Sequence, residues 1–242
     1  MAVKSLQYNQ HTFDISYEIV HPEAKIDIIF LHGWGSNKNL MKQVFSPFLQ
    51  DFRHIYIDLL GFGKSSCDIP LTTDDYAKVI SLFLTSIQSS KDIIVGHSFG
   101  GKVATLLQPD FLVLLGSAGI VVPKPFSIKA KIALFKILKS FGLTKFRSLF
   151  VADDAKNLSP VMYQTFKNVI NEDFSQHFQQ VKGKALLFWG KDDTATPLYT
   201  GEKIASLIPN ASLEVYDGGH YFFMQNGEDI ALKIQHSFYE GK

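Results

Sequence analysis

Apolar residues fall along this chain in two kinds of run. Short runs rich in β-branched and aromatic residues predict strands at Ile26 to Leu31, His54 to Asp58, Asp92 to Val95, Phe111 to Leu115, Ala185 to Trp189 and Ser212 to Tyr216. Strands buried on both faces read this way. Between them the spacing predicts helices over Asn39 to Gln50, Thr73 to Ser89, Gly101 to Gln108, Tyr199 to Leu207 and Gly227 to Tyr239, the last of them amphipathic. The segment from Ser5 to Val20 alternates and predicts an antiparallel hairpin at one edge. Strands and helices in alternation imply an α/β fold with a mostly parallel sheet covered on both faces.

Nearly seventy residues with helical periodicity separate Leu115 from Ala185, too many for a plain crossover. Residues 121–180 are therefore expected to be a helical insertion, a cap over the active edge of the sheet. The core is then made of residues 1–120 and 181–242.

Composition narrows the classes. With 46% hydrophobic and 19% charged residues the chain can bury a sizeable core and is not a disordered segment. Its 24 basic and 23 acidic residues nearly cancel, so nothing in the overall charge points to nucleic acid. Cys67 is the only cysteine, which excludes an internal disulfide framework; it is expected to be a small, loosely packed loop residue. The first ten residues lack a continuous apolar run, so no secretory signal is expected and the protein is expected in the cytoplasm. The longest apolar stretch, Phe111 to Val122, is broken by Gly116, Ser117 and Gly119. It falls short of the roughly 20 residues that span a bilayer.

Candidate chemistry begins at Gly96-His97-Ser98-Phe99-Gly100-Gly101, which follows a predicted strand and opens a predicted helix. A Gly-x-Ser-x-Gly sequence in that context places the serine on a sharp turn with its hydroxyl exposed. A serine hydroxyl needs a base within hydrogen-bond reach and a third group to orient the base. On such a turn the chain order is serine, acid, histidine. Asp192 and Asp193 leave the strand that ends at Trp189, and His220 follows the next strand. Of the other histidines, His97 is expected to point away from Ser98, His32 to be structural, and the rest to lie off the catalytic edge. The loop Leu31-His32-Gly33-Trp34-Gly35 permits close backbone approach to a ligand. The backbone N–H groups of Trp34 and Phe99 are the candidate oxyanion hole, each donor contributing about 3 kcal/mol in comparable sites.

With these residues in hand the chain resembles the α/β-hydrolase superfamily over nearly its whole length. The resemblance is carried by His32-Gly-Trp-Gly, Asp58-Leu-Leu-Gly-Phe-Gly-Lys-Ser, Gly96-His-Ser-Phe-Gly-Gly, and Gly190-Lys-Asp-Asp-Thr-Ala-Thr-Pro with Gly219-His220 beyond. The family spacing Gly-x-x-Asp-x-x-x-Pro fits Gly190, Asp193 and Pro197, which implies Asp193 rather than Asp192 as the acid. The first two blocks are similar to those of carboxylesterases that cleave the methyl ester of a pimeloyl-carrier protein. Carbon-carbon hydrolases of 2-hydroxy-6-oxo-dienoate ring-cleavage products are similar in size and cap length. They usually carry Asn before the nucleophile and Trp after the histidine, where this chain has His97 and Tyr221.

The resemblance implies hydrolysis of a carboxylic ester or thioester by Ser98, His220 and Asp193, with neither metal nor cofactor. A carbon-carbon hydrolase is the alternative, and a ligand receptor with a vestigial site is a third reading. Phe99 and Tyr221 are the expected pocket walls. Phe222, Phe223 and the cap residues Phe126, Phe135 and Phe141 are further apolar candidates. The segment up to Phe150 carries Lys124, Lys129, Lys131, Lys136, Lys139, Lys145 and Arg147 and no acidic residue. It reads either as a solvated amphipathic face or as a surface that docks an acyl carrier protein or attracts a carboxylate-bearing substrate.

Overall fold

A computed structural model of the protein describes residues 1–122 and 158–240. Eight strands form one sheet in the order β1-β2-β4-β3-β5-β6-β7-β8. They are β1 (Ala2–Tyr8), β2 (His11–Val20), β3 (Ile26–Leu31), β4 (Phe52–Ile57), β5 (Ile93–His97), β6 (Phe111–Leu115), β7 (Lys184–Gly190) and β8 (Ala211–Tyr216). The β1–β2 and β2–β4 pairs are antiparallel, and every other pair is parallel.

The helices are α1 (Lys38–Phe45), α2 (Thr73–Ser86), α3 (Phe99–Leu107), α4 (Pro160–Val169), α5 (Ser175–Gln179), α6 (Leu198–Leu207) and α7 (Gly227–Glu240). None of the described helices is long and apolar enough to cross a membrane. Successive strand residues serve opposite faces. On β3, Ile29 and Leu31 join the core beneath α2, α3 and α6, whereas Ile28 and Phe30 join the core beneath α1 and α7. All five residues of β5 and of β6 are buried, as expected for strands covered on both faces.

Sequence expectation and structure differ at the ends of elements. The hairpin begins at Ala2 and turns at Asn9 and Gln10, both in the left-handed region (φ 48° and 66°) that short hairpin turns require. α1 stops at Phe45: Ser46 keeps helical backbone and its N–H donates to the Lys42 carbonyl, but Pro47 has no N–H to carry the ladder further. α3 starts at Phe99, directly after Ser98, with both glycines inside its first turn.

The insertion expected at 121–180 falls partly on residues 123–157, which lie outside the described residues, as do Phe126, Phe135, Phe141 and the basic residues from Lys124 to Arg147. Its described remainder, α4 and α5, rests on the core. The Leu71 N–H donates to Thr165 Oγ1 (3.1 Å), the Asn168 amide donates to the Leu71 carbonyl (3.1 Å), and the Phe174 N–H donates to the Gly119 carbonyl (2.8 Å).

Strand order explains where a site can form. From β3 the chain runs to β4 on one side, and β5 then adds on the other side of β3, so the loops leaving β3 and β5 part and open a crevice. Register aligns Leu31 with Gly96, which sets the Trp34 loop beside Ser98. α3 lies so close to this edge that a Cβ on Gly100 would come within 2.4 Å of the Leu31 carbonyl oxygen and 2.6 Å of that of His32. Gly100→Ala is accordingly expected to lower stability by about 2 kcal/mol, since backbone atoms must move to admit the methyl group. Urea unfolding of the variant beside the native chain measures it.

Candidate active site

One residue turns the chain from β5 into α3. Ser98 does so at φ 50° and ψ −114°, a conformation that costs a non-glycine residue on the order of 1–3 kcal/mol and persists only where its surroundings impose it. Three backbone hydrogen bonds impose it here. The Ser98 N–H donates to the Leu115 carbonyl (3.1 Å), and the Ser98 carbonyl accepts from the N–H groups of Gly101 (3.0 Å) and Ala118 (3.1 Å). Gly96 is required on the strand side, because a Cβ there would lie 2.5 Å from the Gly100 carbonyl oxygen.

The Trp34 and Phe99 N–H groups donate to no protein acceptor among the described residues, and both residues line a cavity of about 560 Å³ together with Ser98. The Phe99 N–H is the first of α3, so the positive end of the helix dipole faces the serine. His32 fastens the intervening loop. Its Nδ1–H donates to the Gly33 carbonyl (2.8 Å), and its Nε2 accepts from the Leu59 N–H (3.0 Å). Burial pushes its imidazole down to about 4, so it stays neutral, in keeping with a structural role.

Asp193 and His220 arrive from the neighbouring strand ends. Asp193, in the loop after β7, is buried, whereas Asp192 is exposed. Its Oδ1 accepts from the N–H groups of Ala195 and Thr196 (2.9 Å each), and its Oδ2 accepts from the Thr196 hydroxyl (2.8 Å) and from His220 Nδ1–H (2.8 Å). Burial works against ionisation of this carboxyl, but the His220 bond and the Thr196 donors outweigh it and hold the pKa below the ordinary carboxylate range. With Nδ1 committed to Asp193, the Nε2 of His220 is the acceptor nitrogen. His220 and Ser98 line the same cavity, and Gly116 makes room behind them. A Cβ on Gly116 would lie 3.1 Å from Asp193 Oδ2 and 3.5 Å from His220 Nδ1.

Sequence reasoning passed over Thr196 and Lys102, and of His97 it expected only that the ring points away from Ser98. His97 Nε2–H donates to the His220 backbone carbonyl (3.1 Å), and its ring lies 4.6 Å from that of His220. Burial, with His220 adjacent, drives its imidazole down to about 3. Thr196 braces Asp193 and was legible in principle, as a hydroxyl three residues after the acid in a turn. Lys102, on the first turns of α3, reaches the cavity wall.

Phe99 and Tyr221 both line the cavity. Phe222 and Phe223 do not. They form a single turn of tight helix whose side chains are buried in the opposite core, where Phe223 stacks at 6.4 Å on Phe45. The wall is completed by α4, whose Phe166 ring lies 5.3 Å from that of Trp34.

A mostly parallel sheet with a strained serine turn between a central strand and its helix is the architecture of an α/β hydrolase. The alpha/beta hydrolase family matches residues 28–232, and the chain belongs to that family; it is a hydrolase. A 2-hydroxy-6-oxononadienedioate/2-hydroxy-6-oxononatrienedioate hydrolase of Burkholderia vietnamiensis is 25% identical over 238 residues, covering 83% of each chain. Among solved structures, an esterase from Exiguobacterium antarcticum superposes with a TM-score of 0.73 at 22% identity, covering 94% of this chain and 96% of its own. A meta-cleavage product hydrolase from Pseudomonas fluorescens superposes with a TM-score of 0.71 at 21% identity, covering 99% and 98%.

Three buried imidazoles, His32, His54 and His97, are held well below 6.5 in the folded protein, chiefly by burial. The unfolded chain therefore binds protons that the folded one refuses. The stability they sustain is complete above about pH 6.5 and is lost as pH falls toward 4, at up to about 1.4 kcal/mol per pH unit for each. Urea midpoints measured from pH 8 down to about 4 should fall below 6.5, and His54→Gln should make the slope shallower. A flat profile would contradict the neutral, buried state of these rings.

Proposed function

We propose that the protein is a serine hydrolase that cleaves a carboxylic ester or thioester through an acyl-enzyme on Ser98. One observation carries the reading: His220, oriented by a 2.8 Å bond to buried Asp193, shares a cavity with a serine held in a strained turn. In this mechanism Ser98 Oγ attacks the acyl carbon as His220 Nε2 takes its proton. The Trp34 and Phe99 N–H groups receive the developing oxyanion, and His220 returns the proton to the leaving group. Water then enters along the same path and frees the acid. Asp193 remains ionised throughout and stabilises the imidazolium.

In the same reading residues 121–180 act as a cap over this site, a role supported by Phe166 and Ile170 in the cavity wall. The acyl group lies against Phe99 and Tyr221. Carbon-carbon cleavage of a ring-cleavage dienoate is the second reading, favoured by the names of the Burkholderia and Pseudomonas relatives. Ester chemistry is preferred because His97 and Tyr221 stand where such hydrolases usually carry Asn and Trp. His97 is, moreover, a neutral ring bonded to the His220 backbone.

Purified protein is expected to turn over p-nitrophenyl esters repeatedly. Ser98→Ala and His220→Ala should each lower kcat by at least about a thousandfold, and Asp193→Asn by about ten-thousandfold by presenting the wrong tautomer. A 2-hydroxy-6-oxo-dienoate assayed in parallel decides between the readings. Faster cleavage of the dienoate than of any ester would reverse the preference. A single slow turnover would instead mark a receptor.

A further inference from the structure

Lys102 stands one helical turn beyond Ser98, on the face of α3 that carries Phe99. Helical side chains lean toward the N-terminus, so this lysine reaches back toward the serine and lines the same cavity. It is only 2% exposed. Its Nζ donates to the Val169 carbonyl (2.6 Å) and to Glu172 Oε2 (2.5 Å), and lies 4.6 Å from the Phe174 ring centroid and 5.8 Å from that of Phe99. An ammonium has three protons. The third meets no protein acceptor among the described residues. Glu172 also accepts from the Thr73 hydroxyl and also lines the cavity.

An ion pair is an expensive wall for an apolar cleft. Desolvating the two charges costs several kcal/mol, and well-packed hydrophobic residues commonly serve stability at least as well. We propose that the Lys102–Glu172 pair is a polar subsite of the acyl cavity, which selects acyl groups bearing an uncharged hydrogen-bond acceptor such as a ketone or ester carbonyl. The free ammonium proton supplies the hydrogen bond. The pair is neutral as a whole, so a carboxylate would meet the repulsion of Glu172 together with the attraction of Lys102, whereas a carbonyl meets only the donor. This inference rests on the reading of the cavity as an acyl site.

The test compares p-nitrophenyl hexanoate, its analogue with a ketone at the penultimate carbon, and the mono-p-nitrophenyl ester of adipate, together with shorter and longer homologues of each. In the native protein the ketone is expected to raise kcat/KM about tenfold over the plain chain at the best length, the worth of one hydrogen bond to a charged donor. Lys102→Met should bring the two near equality. Glu172→Gln should uncover the cation and raise the adipate ester about tenfold relative to hexanoate. A ketone without advantage at every length, or an advantage that survives Lys102→Met, overturns the proposal. If Lys102→Met does not fold, Glu172→Gln decides: a gain for adipate supports the subsite and its absence refutes it. Calorimetric titration of Ser98→Ala with the free acids reads the same selectivity without turnover. Tight binding of the keto acid with no ester hydrolysed would reject ester chemistry and keep the subsite. Hydrolysis without selectivity would do the reverse.

Discussion

The passage from β5 to α3 through a single strained residue is the constraint on which the rest of the structure turns. A serine at φ 50° holds that conformation because Leu115, Gly101 and Ala118 each bond its backbone. Those partners exist only when β6 lies beside β5 and α3 has formed. The helix in turn can approach only where Gly96, Gly100 and Gly101 leave room, since a Cβ on Gly101 would sit 2.2 Å from Ser117 Oγ. The backbone strain at Ser98 is thus sustained by the close packing of the central sheet, and the Trp34 and Phe99 N–H groups are placed by the same register.

Polar groups around the site are arranged to keep charge where it is useful. His32 and His97, both buried, are neutral struts, one fastening the Trp34 loop and the other the backbone of His220. Asp193 is buried and faces His220, and its four hydrogen-bond donors hold it ionised. A comparable economy appears at Lys38. Its ammonium meets Asp58 at 2.5 Å and Ser16 at 2.9 Å, tying the motif after β4 to the start of α1 and to β2. Charges that enter the core do so with partners from distant parts of the chain.

How far the sequence could be read depended on the range of the interactions. Strands buried on both faces showed as apolar runs, and Ile26 to Leu31 and Phe111 to Leu115 match residue for residue. Ser98, Asp193 and His220 were legible because each follows a strand in a fixed order along the chain. Helix ends were less so, since the start of α3 depends on backbone packing against β3. Phe222 and Phe223 misled because their adjacency to Tyr221 in sequence says nothing about the tight turn that sends them into the other core. Lys102 and Glu172 could not be paired by reading, because they lie 70 residues apart and meet only after α4 docks.

The order of the strands also bears on when the site assembles. Everything that shapes the Ser98 turn lies before residue 120, whereas Asp193 and His220 belong to the last quarter of the chain and enter through pairing of Leu115 with Phe188 on β7 and of Trp189 with Val215 on β8. During synthesis the serine turn can form on β3, β5, β6 and α3 well before those strands leave the ribosome. Until they dock, His220 does not reach the cavity beside Ser98, and the apolar edge of β6 awaits its partner. The nascent chain therefore carries the serine turn without His220 and with one edge of β6 unpaired, and docking of β7 and β8 is the event that brings the site together.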